Sequence, residues 1–337
     1  MGATLKVSGA VSLLKAVAEP TRLRILSLLA PGELNVKDLT RILGQSQPRI
    51  SRHLRLLAEA GLVERAPEGS WVYFRLAERG EGGDLARLIL RSLDPEDPVL
   101  TRDRGRAGDL RHEREEAALA YFQAHAGEWD KIRALHVAEG DVEAAVQAAL
   151  GQGPFNLFVD LGTGTGRMLE LFSGRFRRGI GLDLSPAMLA YARVNLERSG
   201  IAHAQIRQAD IYDLPLPDRA ADALVMHQVL HFLSDPQRAI REAARVLALG
   251  GRLLIVDFAP HELEFLRDEF AHERLGFVDT VVRQWLADAG LELSETRNLA
   301  PGGDAAGKLT VSMWLATRPG DGAESGAAHE RSLERVG

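Results

Sequence analysis

Residues 159–166 read VDLGTGTG, three glycines in five positions directly after an apolar run. A backbone needs that many glycines only where it turns tightly or comes very close to a ligand. From residue 155 onward, short apolar stretches alternate with amphipathic ones: FNLFVDL, RGIGLDL, AQIRQAD, ADALVMHQVL and GRLLIVDF. This alternation predicts an α/β domain with a mainly parallel sheet and helices on both faces. Two later stretches, LELSETRNL and KLTVSMWLAT, are joined by a Gly-rich turn and are expected to pair antiparallel at the sheet edge. The glycine loop thus falls between a strand and a helix, where nucleotide-binding loops lie.

The loop spacing is G-x-G-x-G. It is not the G-x-G-x-x-G of dinucleotide binders, and no Lys-Ser/Thr follows as in a P-loop. A tight turn packing a helix on a strand would also account for it. Three carboxylates shift the balance. Asp160 ends the first strand, where a fixed negative charge repels a pyrophosphate and suits an ammonium group. Asp183 ends the second strand, placed to accept both hydroxyls of a ribose. Asp210 ends the third, placed to accept an adenine amino group, with Ile211 and Leu184 on either side of the base. Each acid alone is equally well read as a carboxylate capping the next helix. Three at successive strand ends favour one ligand with ammonium, ribose and adenine parts and no phosphate: S-adenosylmethionine.

The segments VDLGTGTG, GLDLSPAMLAYAR, QADIYDLPLPD and DALVMHQVLHFLSDPQRAIREAARVLALGGRLLIVDF resemble the class I S-adenosylmethionine-dependent methyltransferases, and their ubiquinone/menaquinone methyltransferase type in particular, over roughly 155–316. The resemblance implies a Rossmann-like domain with a seven-stranded sheet. It implies cofactor contacts from Gly162, Gly164 and Gly166, Ser185 and Met188 flanking the ribose and adenine, and His227 beside the sulfonium. The preceding helical stretch, 110–150, with Tyr121, Trp129 and Arg133, would cover the cofactor, and Arg133 would pair with its carboxylate.

Methyl transfer from a sulfonium needs mainly alignment and, for some acceptors, a base. The candidate bases are His227, His231, His261, Glu262 and His272. The stretch HELEFLRDEFAHERLGF, 261–277, reads as a helix with Leu263, Leu266 and Phe270 inward, so that His261 and His272 flank an acceptor pocket. An amphipathic lid helix with solvated charges explains the same pattern. His227, His261 and His272 are the catalytic candidates. His231, between Leu230 and Phe232, reads as structural.

The first part of the chain has another character. Residues 1–76 carry 11 Lys/Arg and 6 Asp/Glu, although the whole chain of 337 residues has a net charge of −6. A small basic module on an acidic one suggests a polyanion partner for the first alone. Residues 10–62 read as successive helices. NVKDLTRILG opens with the N-cap candidate Asn35 and stops at Gly44, and a further helix follows Ser46, with Pro48 in its first turn. LVERAP and WVYFRL flank EGS as a two-stranded hairpin, and 83–92 supports one more helix.

In SQPRISRHLRLL, Arg49, Arg52 and Arg55 share a face opposite Ile50, Leu54 and Leu57, and Ser46, Gln47, Ser51 and His53 join the exposed side. Arg pairs bidentately with guanine, Gln with adenine, and Ser reaches phosphate. A charged, solvated helix would look similar, but this one follows another helix after a short turn and precedes a basic hairpin: an α+β winged helix-turn-helix. Residues 13–76 resemble the ArsR family of bacterial winged-helix repressors through EPTRLRILSLL, GELNVKDLTRILGQSQPRISRHLRLLAEAGLVER and GSWVYFRL. The resemblance implies dimeric binding to palindromic operators. Base contacts would come from Gln47, Arg49, Ser51 and Arg52, and phosphate contacts from Arg55, Arg65, Ser70 and Arg75. The first helix and 83–92 would form the dimer contact. Metal-sensing members carry paired cysteines within the stretch that reads ELNVKDL here, where Asn35 and Lys37 stand; no metal site is expected.

The expected organisation is a DNA-binding domain over 1–93, a linker at 94–109, a methyltransferase domain over 110–318 and a disordered tail at 319–337. The chain has no cysteine, so disulfides and thiolate chemistry are excluded. It lacks the pattern of a signal peptide and any apolar run of about 18 residues, and a cytoplasmic location is expected. Two functions of different class stay open. One is a transcriptional regulator that senses S-adenosylmethionine or S-adenosylhomocysteine. The other is a small-molecule methyltransferase with an appended regulatory domain.

Overall fold

A computed structural model describes residues 6–68, 71–77, 80–128, 139–300 and 309–320. The chain divides into two compact units at Glu116/Ala117. Among the described residues no helix is long and apolar enough to cross a membrane.

In the first unit, helices Val7–Val17, Pro20–Leu29, Val36–Leu43 and Gln47–Glu59 precede the strands β2 (Val63–Glu68) and β3 (Trp71–Leu76). The expected hairpin gains a third strand, β1 (Leu34–Asn35), which pairs antiparallel with β3. Asn35 does cap Val36–Leu43: its side chain accepts the Asp38 N–H, and Asp38 reaches back to the Asn35 N–H. Gly44 ends that helix in the left-handed conformation at φ 65°. Ile50, Leu54 and Leu57 are fully buried against Ile25, Leu26, Leu39 and Ile42. Helix Gly80–Ser92 follows the wing.

The segment read as a linker is largely helix. Pro98–His125 is one continuous helix. Asp97 and Pro98 make a helix start, because the Asp97 carboxylate accepts the N–H groups of Val99 and Leu100 at 2.9 and 3.1 Å. Gly105 and Gly108 each weaken such a helix by about 1 kcal/mol, so packing must hold it. Arg24 donates to both oxygens of the buried Asp103 at 2.6 and 2.8 Å, Arg106 donates to the Ile42 carbonyl, and Arg114 pairs with buried Asp38. Leu100 and Leu110 are buried, and Leu110 joins the first unit's core. Residues 98–116 therefore belong to the first unit.

In the second unit the strands are β4 (Phe155–Leu161), β5 (Phe176–Asp183), β6 (Ala204–Gln208), β7 (Ala221–His227), β8 (Leu247–Phe258), β9 (Glu292–Leu299) and β10 (Val311–Thr317). They form one sheet in the order β6-β5-β4-β7-β8-β10-β9. Only β10 runs against its neighbours β8 and β9. The central strands are mainly apolar because both faces are covered, with Phe158, Val159, Leu224, Val225, Leu254 and Ile255 fully buried. The strand order reverses between β4 and β7, which opens the crevice where ligands bind in such sheets.

Two local expectations fail. The stretch 261–277 holds only a five-residue helix, Phe265–Glu269, because Ala271 turns left-handed at φ 56°. Its apolar face survives in part: Leu266 is buried, while Leu263 and Phe270 pack half-buried on the core. The expected strand through ADALVMHQVL stops at His227, where Gln228 adopts φ 54°. The expected helix over 110–150 covers 110–125 and Glu139–Leu150, with 129–138 outside the described residues, as are 321–337 of the expected tail.

Candidate functional site

The loop after β4 is built by glycine geometry. Gly162, Gly164 and Gly166 all have positive φ (70°, 51° and 89°). The N–H groups of Gly162 and Thr163 stay bonded to the Leu182 carbonyl, so the loop turns without leaving β5. A Cβ on Gly166 would touch Ala192 at 3.3 Å, and Asn195 donates to the Thr165 carbonyl. Helix Pro186–Arg198, capped by Ser185 through the Met188 N–H, is thereby held against the loop.

The three strand-end acids converge on this region in different states. Asp160 is buried and accepts the Thr163 hydroxyl at 2.6 Å. Asp183 accepts the Gly164 N–H at 2.8 Å through one oxygen and the Ser185 N–H at 2.9 Å through the other. Burial pushes the Asp183 carboxyl above its ordinary value, against the pull of those backbone N–H groups. A carboxylate has about four acceptor positions, and the backbone N–H groups of Gly164, Ser185 and Leu184 take up to three, which leaves room for a hydroxyl donor. Asp210 is exposed just past β6, accepting the Tyr212 N–H at 2.8 Å. Ile211 is half-buried, Leu184 exposed and Met188 buried. The nearest cation in sequence, Arg167, is taken up by Glu143 at 2.6 and 2.7 Å and by Glu170, and the Glu143 bond holds its pKa above the usual value. The loop therefore presents carboxylates and no uncommitted Arg167 charge, which suits a cationic, phosphate-free ligand. Arg133 and Trp129 lie outside the described residues.

The histidine candidates gather where β7 and β8 end. His227 closes β7 half-buried. His272 lies 4.2 Å from His231, ring centroid to ring centroid, and His231 bonds Asp257 at 2.7 Å. His261 accepts the Leu263 N–H on Nδ1, and burial, followed by the neighbouring His231 and Arg267, depresses its pKa to about 4. Glu262 is exposed. Asp257 escaped the sequence reading, although an acid inside the apolar run LLIVDF is a visible signal, since a buried charge demands a partner. Gln228 and Val229 escaped it without any such signal.

In the first unit, Ser46, Gln47, Arg49, Ser51, Arg52 and Arg55 are all exposed along Gln47–Glu59 and its N-terminus. His53 does not join them. It is half-buried, 3.6 Å from Glu19, because its position turns toward the N-cap of helix Pro20–Leu29. Arg65 is exposed on the wing, but Arg75 is half-buried and bonded to Glu64 at 2.8 Å, so its charge is committed within the fold. Ser70 lies outside the described residues.

Residues 159–255 match the family described as methyltransferase domain. A phosphatidylethanolamine N-methyltransferase of Cereibacter sphaeroides is 34% identical over 152 residues, 43% of this chain and 74% of that protein. The chain belongs to the methyltransferase family. Its residues 19–65 match the model described as bacterial regulatory protein, arsR family, so this methyltransferase-family chain carries an ArsR-type helix-turn-helix. The arsenical resistance operon repressor of Escherichia coli is 52% identical over 68 residues, 20% of this chain and 58% of that protein. A demethylmenaquinone methyltransferase of Thermus thermophilus is 37% identical over 118 residues, 34% of this chain and 53% of that protein. The chain thus spans little more than half the length of the last two relatives.

Proposed function

We propose that this methyltransferase-family chain is a DNA-binding transcriptional regulator whose second unit binds S-adenosylmethionine or S-adenosylhomocysteine and passes that occupancy to operator affinity. One observation carries the reading: a strand-end acid, Asp183, is anchored to the glycine loop by the Gly164 N–H, with Asp160 beside it, in the same chain as a helix that exposes Arg49, Arg52 and Arg55. Asp183 would accept the ribose hydroxyls, Asp210 the adenine amino group between Ile211 and Leu184, and Asp160 would face the ammonium end. Met188, His227 and Arg133 complete the assignment. The cofactor supplies an activated methyl group; the residues named here hold and orient it.

The DNA partner is a palindromic operator read by a homodimer. Base contacts fall to Gln47, Arg49, Ser51 and Arg52, and phosphate contacts to Ser46, Arg55 and Arg65. Support for the dimer comes from apolar side chains that the monomer leaves exposed on the first and fifth helices, Val7, Val11, Leu14 and Leu88. The DNA-binding domain extends through residue 116, the methyltransferase domain covers 117–318, and the location is cytoplasmic.

Coupling between sites is typically worth about 1–3 kcal/mol, or five- to 150-fold in affinity. Titrating a labelled operator with the full chain, alone and with each ligand, tests the proposal. A shift of that size with one ligand supports sensing, and equal affinity in all three titrations rejects it. The second reading, an enzyme acting on a small acceptor, is favoured by the buried His231–Asp257 pair.

A further inference from the structure

His231 and Asp257 stand at the ends of consecutive parallel strands, on the segment after β7 and in β8. Both are buried, at 2 and 0% exposure. The Asp257 carboxylate is anchored without the imidazole: it accepts the Phe258 N–H at 2.8 Å and the His231 backbone N–H at 3.3 Å. The His231 carbonyl separately accepts the N–H groups of Glu273 and Arg274. Backbone bonds therefore fix this corner, and the ring adds its Nδ1 contact to Asp257 at 2.7 Å. With Nδ1 donating, Nε2 holds the lone pair, the arrangement that makes an imidazole a base and steadies the cation it becomes.

The surroundings are aromatic. Phe232, His272 and Phe258 lie 4.0, 4.2 and 4.9 Å from the His231 ring, centroid to centroid, and Phe122 packs on Phe232. The neighbouring Val229 touches the glycine loop at Gly162. We infer that His231, held by Asp257, is the general base for methyl transfer to an aromatic acceptor bearing an acidic O–H. This rests on the cofactor assignment proposed above. Nε2 takes the acceptor proton as the acceptor oxygen bonds to the methyl carbon of the sulfonium, whose carbon–sulfur pair stays on sulfur; water then removes the proton. Aromatic walls suit a flat ring, and one imidazole suits a phenol, which is far more acidic than an aliphatic alcohol. Other ionisable groups near the base are His272, His261 and, through their backbone N–H groups on the His231 carbonyl, Glu273 and Arg274; Arg267 and Glu264 act on His261.

Para-nitrophenol tests this without the cofactor, since its ionisation is visible as phenolate absorbance. The full chain, His231→Gln and Asp257→Asn are each mixed with it at a pH below its own pKa. The expected result is phenolate bound to the wild type, little or none on His231→Gln and less on Asp257→Asn, with S-adenosylhomocysteine affinity by calorimetry unchanged in His231→Gln. With S-adenosylmethionine added, the wild type forms the methyl ether and His231→Gln is slower by about 10²–10⁴-fold. Absence of phenolate on the wild type overturns the inference, whether or not a variant folds. So does equal phenolate on His231→Gln, or a joint loss of phenolate and S-adenosylhomocysteine binding in it. A wild type that ionises the phenol yet gives no heat with S-adenosylmethionine or S-adenosylhomocysteine overturns the cofactor assignment and leaves the base in place.

Discussion

A Cβ built on Gly162 would lie 2.3 Å from Cγ2 of Val229. The loop after β4 and the segment after β7 therefore meet where no side chain fits, and Gly162 also has φ 70°. Gly162→Ala meets both obstacles. It should weaken S-adenosylhomocysteine binding at least tenfold by calorimetry and lower the thermal midpoint of unfolding. The double variant Gly162→Ala/Val229→Ala removes the clash but not the left-handed strain, so it should recover part of the affinity and not all of it. Full recovery would show that backbone conformation contributes nothing there.

Arg24 and Asp103 make the second test. Asp103 is 1% exposed and both its oxygens accept from Arg24. Removing one member of a buried pair leaves an uncompensated charge and typically costs about 3–5 kcal/mol, while replacing both with apolar residues is far milder. Arg102, 4.0 Å from Asp103, compensates in part, so Arg24→Met should destabilise the protein by up to that amount in urea unfolding, and Arg24→Met/Asp103→Leu by clearly less. Similar losses in the two variants would mean that the helix Pro98–His125 is held mainly by Leu100, Leu110 and the Arg114–Asp38 pair.

The same helix marks where sequence reasoning reached its limit. Alternating apolar and amphipathic segments revealed the parallel sheet, since strands covered on both faces must be apolar. Asn35 and Gly44 revealed a helix's ends, since capping is local chemistry. The pair Asp97–Pro98 suits a turn and a helix start equally, and what decides is packing against Arg24, Ile42 and Asp38, distant in sequence. Gln228 and Ala271, both left-handed, are not residue types that announce that conformation, so the ends of β7 and of the short helix were illegible. The acids of the proposed cofactor site are legible by position, since Asp183 ends β5, Asp160 lies one residue before the end of β4 and Asp210 just past β6. The pairing of Arg75 with Glu64 is not legible in the sequence, because the two lie across the hairpin from each other.

His261 gives a pH prediction. Its pKa is depressed to about 4 from 6.5 chiefly by burial, with His231 and Arg267 opposing its charge and Asp257 and Glu264 favouring it. Nδ1 accepts the Leu263 N–H, and Nε2 is buried with no hydrogen-bond partner among the described residues. Below pH 6.5 the unfolded chain binds a proton that the folded chain refuses, so stability falls as the pH drops toward 4 and the loss levels off below that. His261→Asn keeps an acceptor for Leu263 and removes the titration. Its unfolding free energy, measured at steps from pH 7 to pH 4, should fall less steeply than that of the wild type. Parallel curves would assign the acid sensitivity to other groups.

On the DNA-reading helix, Arg52 and Arg55 should fail differently. Arg52 is exposed near the middle of Gln47–Glu59, on the face assigned to base edges. Arg55 lies one turn further on and approaches Glu59 at 3.9 Å between exposed groups. Such an exposed pair is worth well under 1 kcal/mol, so it barely restrains the guanidinium. Losing a bidentate contact to a guanine costs about 1–3 kcal/mol and relaxes preference at one base pair, whereas losing a phosphate contact weakens every sequence alike and reduces the salt slope by roughly one. Arg52→Ala should therefore cut the ratio of operator to random-sequence affinity at fixed salt. Arg55→Ala should leave that ratio intact and flatten the dependence of affinity on salt. If both variants change only the salt slope, Arg52 contacts the backbone, and operator choice falls to Gln47, Arg49 and Ser51.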